Sequence, residues 1–235
     1  MRYPKYISVA DKKARAEKIT KKLLKKNPKL NPITIEGNKI VTTWWGKSWT
    51  KNLESYADYS NRLGRGRSYV RHGAVLDLQI NEGIIEALVL GSSKYKITIK
   101  IKKLNDSNWK VLQKKAAGQI ESVAQVIEGS FPKELANIFT VKEKGLFPSP
   151  KEIDFECSCP DWAYMCKHIA AALYGTGVRL DQDPSLFFKM RAVNLNKLIS
   201  KVIKQEQSSL IKRAKKVKSK RIIKSDKSIE KLFKF

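Results

Sequence analysis

Over 235 residues, 48 lysines and arginines face 22 aspartates and glutamates, a net charge of +26, while 42% of the chain is hydrophobic. The apolar share suffices for one large or two small domains, and no apolar run reaches the length of a membrane span. The first residues, MRYPKYISVADKKARAEKI, lack the apolar block of a secretory leader, so the cytoplasm is the expected location and a membrane is not an expected partner.

The charge is concentrated at the two ends. Residues 1–41 hold 12 basic and 3 acidic side chains and residues 201–235 hold 13 and 3, which leaves 23 and 16 for everything between. Such an imbalance points to a polyanion, because each cation that neutralises a phosphate releases condensed counterions. A merely solvated lysine-rich surface is the alternative.

In chain order, Val9 to Lys26 reads as a weakly amphipathic helix stopped by Asn27-Pro28, either solvated or a phosphate-binding arm. NPITIEGNKIV reads as a linker and then a short hairpin or strand. In TTWWGKSWTKNLESYADY, Trp45, Trp49, Leu53 and Tyr56 recur at helical spacing with Trp44 beside them, a pattern that serves core packing or base stacking. NRLGRGRSYVRHG reads as a loop: Arg62, Arg65, Arg67 and Arg71 alternate with Gly64, Gly66 and Gly73, so the backbone can approach a phosphate that guanidinium forks then hold. A tight turn whose arginines pair with surface carboxylates is the competing reading. His72 is expected in a turn or at the surface.

Three strands follow, VLDLQI, IIEALVL and KYKITIKIK, as an antiparallel meander. In the third, Tyr95, Ile97, Ile99 and Ile101 should face the core, with Lys94, Lys96, Lys100 and Lys102 opposite. Lys96, Lys100 and Lys102 are therefore candidate phosphate contacts, or solvated guards of an exposed strand. Asp106 or Ser107 is expected to cap a helix through Gly129 with Trp109, Leu112, Ala116, Ile120, Val123 and Ile127 as its stripe, and Pro132 to open another with Leu135, Ile138 and Phe139. Further helices are expected up to Gly175, over SLFFKMR, and from Asn194 to about Ser208, where a mobile tail should begin.

Between the last strand-like run and the helix HIAAALY lies CSCPDWAYMCKH, which gathers all three cysteines of the chain and one of its two histidines. Cys157 and Cys159 extend IDFE, and alternate strand residues project from one face. Cys166 is expected in a turn and His168 in the first turn of the next helix. Three sulfurs and one imidazole nitrogen suit one tetrahedral Zn2+, and four protein ligands leave no open position, so the zinc is expected to be structural.

This C-x-C-x6-C-x-H spacing, with Asp161 and Trp162 in the spacer, resembles the SWIM zinc finger. WWGKSW, NLESYADYSNRLGRGRSYVRHG, VLDLQI, GLFPSPKEI and CPDWAYMCKHIAAALYGTG also resemble SWIM finger proteins of prokaryotes, over roughly Ile33 to Arg191. The lysine-rich ends fall outside the resemblance. It implies roles in DNA or protein binding and similarity to proteins encoded near Swi/Snf-type helicases.

The expected fold is α+β: an antiparallel meander with packed helices, a zinc-stabilised finger, and basic helical or disordered ends. Its expected divisions are a basic arm (1–32), an α+β domain (33–145), the finger with its following helix (146–192) and a helix running into a basic tail (193–235). The expected function is nucleic-acid binding, to DNA or RNA, through basic surfaces, with zinc as a clasp. The alternative is a protein-interaction module, or accessory subunit of a Swi/Snf-type helicase, that docks through Trp162. No paired carboxylates, phosphate-binding loop or nucleophile motif is visible, so catalysis is not expected.

Overall fold

A computed structural model of the chain describes residues 7–55, 60–116, 125, 128, 133–141 and 144–216. Four strands, β1 (Val75–Asn81), β2 (Ile84–Leu90), β3 (Lys94–Ile101) and β4 (Ile153–Cys157), form one antiparallel sheet in the order β1-β2-β3-β4. The cysteine segment thus supplies the fourth strand of the meander, with Cys157 opposite Ile97 and Ile153 opposite Ile101. Ile97, Ile99 and Ile101 are buried on one face while Lys94, Lys96 and Lys100 are exposed on the other, as the alternation requires.

Helices cover the apolar face. They are α1 (Val9–Lys26), α2 (Trp44–Glu54), α3 (Ser60–Arg71), α4 (Asp106–Ala116), α5 (Ala136–Phe139), α6 (Lys167–Gln182), α7 (Leu186–Met190) and α8 (Leu195–Lys216). The centre is α6, buried along almost its entire length and packed on α2, α3 and the sheet. Its run Ala170-Ala171-Ala172 offers a flat side to α3. There Gly66 comes so close that a Cβ would stand 2.6 Å from that of Ala170 and 2.9 Å from the α6 backbone. The glycine-arginine stretch is therefore a helix rather than a loop, and Gly66 is required by helix-helix approach, not by a phosphate.

Gly175 likewise lies inside α6 instead of closing it, facing Leu78 and Ile33, and Gly177 faces Trp49. Trp45 and Trp49 are core residues. Trp49 is fully buried and donates from Nε1 to the Leu173 carbonyl at 2.9 Å, and Trp45 donates to that of Leu180 at 2.7 Å, so each large ring satisfies its polar atom on α6. At the far end of α6, Asp181 accepts from the N–H and hydroxyl of both Thr42 and Thr43. Thr43 in turn caps α2 through Gly46 N–H at 3.0 Å.

Other local signals resolve differently from their sequence reading. The stretch after Pro28 forms no hairpin or strand. It runs along the open edge of β1, where Ile33 donates to the Val75 carbonyl and Leu78 to that of Asn31, each at 3.0 Å, covering backbone groups an edge strand would expose. Asn105, not Asp106 or Ser107, caps α4, accepting the Ser107 N–H at 2.8 Å. His72 is buried, beneath α1. The last helix continues past Ser208 to Lys216. Tyr56, Ile120, Val123, Ile127, Gly129, Pro132 and the tail beyond Lys216 lie outside the described residues.

One buried cation ties the ends of the sheet together. Arg191 is fully buried, donating to the Lys102 carbonyl at 2.9 Å and to Glu152 at 2.6 Å. The other oxygen of Glu152 accepts the Ser149 N–H at 2.9 Å. Burial alone would raise the Glu152 pKa, but the Ser149 N–H and the Arg191 guanidinium outweigh it and hold the carboxyl below its usual range.

Candidate metal centre

β4 ends at Cys157, the chain turns through Cys159, and Cys166 occupies the cap position of α6 with His168 in its first turn. These elements bring three sulfurs and one ring nitrogen within 4.8 Å of one another. Nδ1 of His168 lies 3.7 Å from Cys166 Sγ and 4.0 Å from Cys157 Sγ. Zn–S bonds near 2.3 Å imply tetrahedral edges of about 3.8 Å, so the four atoms fit one ion. Every expected ligand is therefore brought together, and by Nδ1 rather than Nε2 of the histidine.

The thiols are primed unequally. Cys166 is held down to about 3, first by the hydrogen bond from Cys157, against burial, and then by His168 and the N–H groups of Ile169 and His168 at the start of α6. Cys157, which gives that hydrogen bond and is partly buried, is pushed far above an ordinary thiol. Zinc replaces this shared proton with a divalent charge, and its binding releases protons.

The His168 ring is clamped by neighbours that the sequence does not link to the metal. Tyr95 stacks on it at 4.4 Å and Tyr69 meets it edge-on at 5.5 Å. A Cβ on Gly91 would stand 2.7 Å from Nε2, so only glycine leaves room for this imidazole. The Gly91-Ser92-Ser93 run between the second and third strands reads as a turn, and nothing in its spacing links it to a histidine 77 positions on.

Asp161 holds the finger loop to α3, accepting from Arg62 at 2.6 Å through one oxygen and from the Ala163 N–H at 3.2 Å through the other. Arg67 is also engaged, pairing with Glu54 at 2.7 Å above the Tyr174 ring. Arg65 and Arg71 are exposed and make no ion pair among the described residues. Of the lysines, Lys100 pairs with Glu156 at 2.6 Å, and Lys96 and Lys102 are exposed. The outer face of the sheet sets Lys94, Lys96 and Lys100 beside Asp77, Glu86, Asp154 and Glu156, so it is mixed in charge. Trp162 is 94% exposed at the tip of the finger, with Tyr164 half-exposed beside it.

A closed Cys3His site spanning a strand end and a helix start defines a structural zinc finger. Residues 153–174 match the SWIM zinc finger family, a stretch that runs from the start of β4 into α6 and includes all four ligands: this chain carries a SWIM finger with one structural zinc site. Among curated proteins, Uncharacterized protein Rv2102 of Mycobacterium tuberculosis (strain H37Rv) is 37% identical over 148 residues, 62% of this chain and 53% of the relative. The chain thus spans about half the length of the relative it matches. No solved structure matches. No helix among the described residues is long and apolar enough to cross a membrane.

Proposed function

We propose that this protein binds nucleic acid through phosphate contacts made by its basic helices, with the zinc finger as the clasp that holds the frame. The observation that carries the reading is where unopposed charge sits. Helix α1 has eight basic and two acidic side chains, and α8 has seven basic and one acidic. α1 docks by burying Ala16 and by the bond from Arg15 to the Ser92 carbonyl at 3.2 Å, beside exposed Arg65. The sheet lysines contribute less, since carboxylates neighbour them on the same face. The finger carries Lys167 as its cation between Cys157 and His168, while three thiolates and one zinc sum to about minus one.

Contacts to phosphate rather than to base edges give a steep salt dependence and modest sequence preference. The test is binding of single-stranded DNA, duplex DNA and RNA across a salt series. Affinity should fall linearly on a log-log plot, whereas a flat line between low and moderate salt refutes the reading.

A second reading, protein docking at the finger tip, draws its support from the exposure of Trp162 and Tyr164. The partner would be a Swi/Snf-type helicase. Recovery of such a helicase in a pull-down after nuclease digestion supports it; recovery that vanishes with the nucleic acid favours the first.

A further inference from the structure

Between α1 and the turn that joins β2 to β3 runs an open groove of about 490 Å³. One wall is a stripe of α1, where Arg15, Lys22 and Lys26 are spaced seven and then four residues apart and so share a side of the helix. The other wall is the turn itself, with Ser92, Ser93 and Lys94. The floor between them is apolar, formed by Ile19, Leu23 and Leu90. Arg15 donates to the Ser92 carbonyl at 3.2 Å, which pins the two walls together and leaves further N–H donors on its guanidinium.

No carboxylate lines the groove. Of the two on α1, Asp11 accepts the hydroxyl of the capping Ser8 at 2.6 Å, and Glu17, two residues from Arg15, projects from the far side of the helix. Lys22, Lys26 and Lys94 are exposed and make no ion pair among the described residues. Arg15, Leu90 and Ser92 also line the cavity beyond, to which α3 contributes Arg65.

Four cations that converge from separate elements over an apolar floor differ from a solvated lysine face, where opposite charges intervene as they do on the outer sheet. Charge complementarity selects a polyanion, and the floor selects one that offers flat apolar surface along with its charge. In a duplex the base faces are stacked inside, so phosphates alone reach the walls and the floor stays wet. An acidic polypeptide brings charge without flat rings. A single strand offers phosphates and unstacked bases together. From Arg15 to Lys26 the helix rises about 16 Å at about 1.5 Å per residue, the length of about five nucleotides at about 3.4 Å each.

We propose that this groove holds single-stranded nucleic acid, with Arg15, Lys22, Lys26 and Lys94 on its phosphates and Ile19, Leu23 and Leu90 beneath its bases. The inference deepens the nucleic-acid reading above and rests on it. That reading spreads phosphate contacts over the basic helices, whereas this one names a single seat and an unpaired ligand.

The zinc-loaded full chain is titrated at moderate salt with one oligonucleotide, single-stranded and annealed to its complement. The groove predicts tighter binding of the single strand by about tenfold or more, because base faces add to phosphate contacts. Ser93 is exposed on the turn wall, and Ser93→Glu puts an anion into the groove. Asn81→Glu adds the same charge at the exposed β1-β2 turn, at the opposite end of β2, about 20 Å away and well beyond the screening length. Ser93→Glu should weaken single-strand binding about tenfold and Asn81→Glu less than about twofold. In Lys22→Gln/Lys94→Gln, which removes one cation from each wall, the log-log salt slope should become shallower by about 1.4.

Salt-dependent binding in which the duplex matches or exceeds the single strand overturns the groove and leaves the nucleic-acid reading standing. The same holds if Ser93→Glu and Asn81→Glu behave alike, or if the slope is unchanged in the double variant. An acidic peptide of equal charge that displaces the oligonucleotide as well as unlabelled single strand does also overturns the proposal, and assigns the groove to an acidic chain. Binding of neither form sinks the nucleic-acid reading and this inference with it.

Discussion

His168 is held at three points: the zinc position at Nδ1, the Tyr95 face, and the bare Cα of Gly91 against Nε2. Gly91 is thus a positioning residue for the metal. Gly91→Val should displace the ring and lower zinc affinity by about 10- to 100-fold, the usual effect of disturbing groups that orient a ligand. Competition with a chromophoric chelator reads this, and unchanged affinity would show that the ring has room to spare. Removing a ligand outright is harsher. Elemental analysis should find about one zinc per intact chain and none in Cys166→Ser, whose melting temperature should also be lower. The ligands themselves were legible in the sequence, since alternation along a strand and the start of a helix fix where four close residues point. Gly91, Tyr95 and Tyr69 were not, because their relation to the metal arises from strand pairing and helix packing over long separations.

Helices α3 and α6 meet through small residues, and two glycines two positions apart on α3, hence on opposite sides of the helix, play opposite parts. Gly66 abuts Ala170, whereas a Cβ on Gly64 would meet nothing within 4 Å. Gly66→Leu should destabilise the protein by about 1–3 kcal/mol or more through overpacking. Gly64→Ala should stabilise it by up to about 1 kcal/mol, by lowering the backbone entropy of the unfolded chain. Urea denaturation of the two variants checks both signs, and equal effects would contradict the packing. Here the sequence misled, because glycines interleaved with arginines look the same whether they serve a phosphate or a neighbouring helix. What distinguishes them is the facing Ala170-Ala171-Ala172, a hundred residues away. At the end of the sheet, Glu152 keeps its charge in the fold below its ordinary value of 4.5. Its contribution is therefore full above that pH and is lost as pH falls through the folded value. The stability advantage over Glu152→Gln should shrink steadily on acidification below about 4.5; a constant gap would mean that the Arg191 pair does not depend on the carboxylate charge.

Across the whole molecule, the zinc clasp and the charge are separate devices that share one frame. The metal site joins β4 to α6, α6 carries α2 and α3, and β1 at the sheet edge supports α1, whose outward lysines face solvent. The meander and the helices around it other than α3 could be read from alternation and helical spacing. That the finger strand completes the sheet could not, because a short run such as IDFEC carries no record of which strand it will pair with. Under the proposed function, folding falls to the finger and phosphate contact to the helices. The most direct measurement is the salt dependence of single-stranded DNA binding by the zinc-loaded chain and by a variant in which Lys18, Lys21 and Lys25, all exposed on α1, are changed to glutamine. If these lysines meet phosphates, the log-log slope should become shallower by about 0.7 for each one lost, with zinc content and melting temperature unchanged. An identical slope in the two proteins would contradict the account and move the phosphate contacts away from α1.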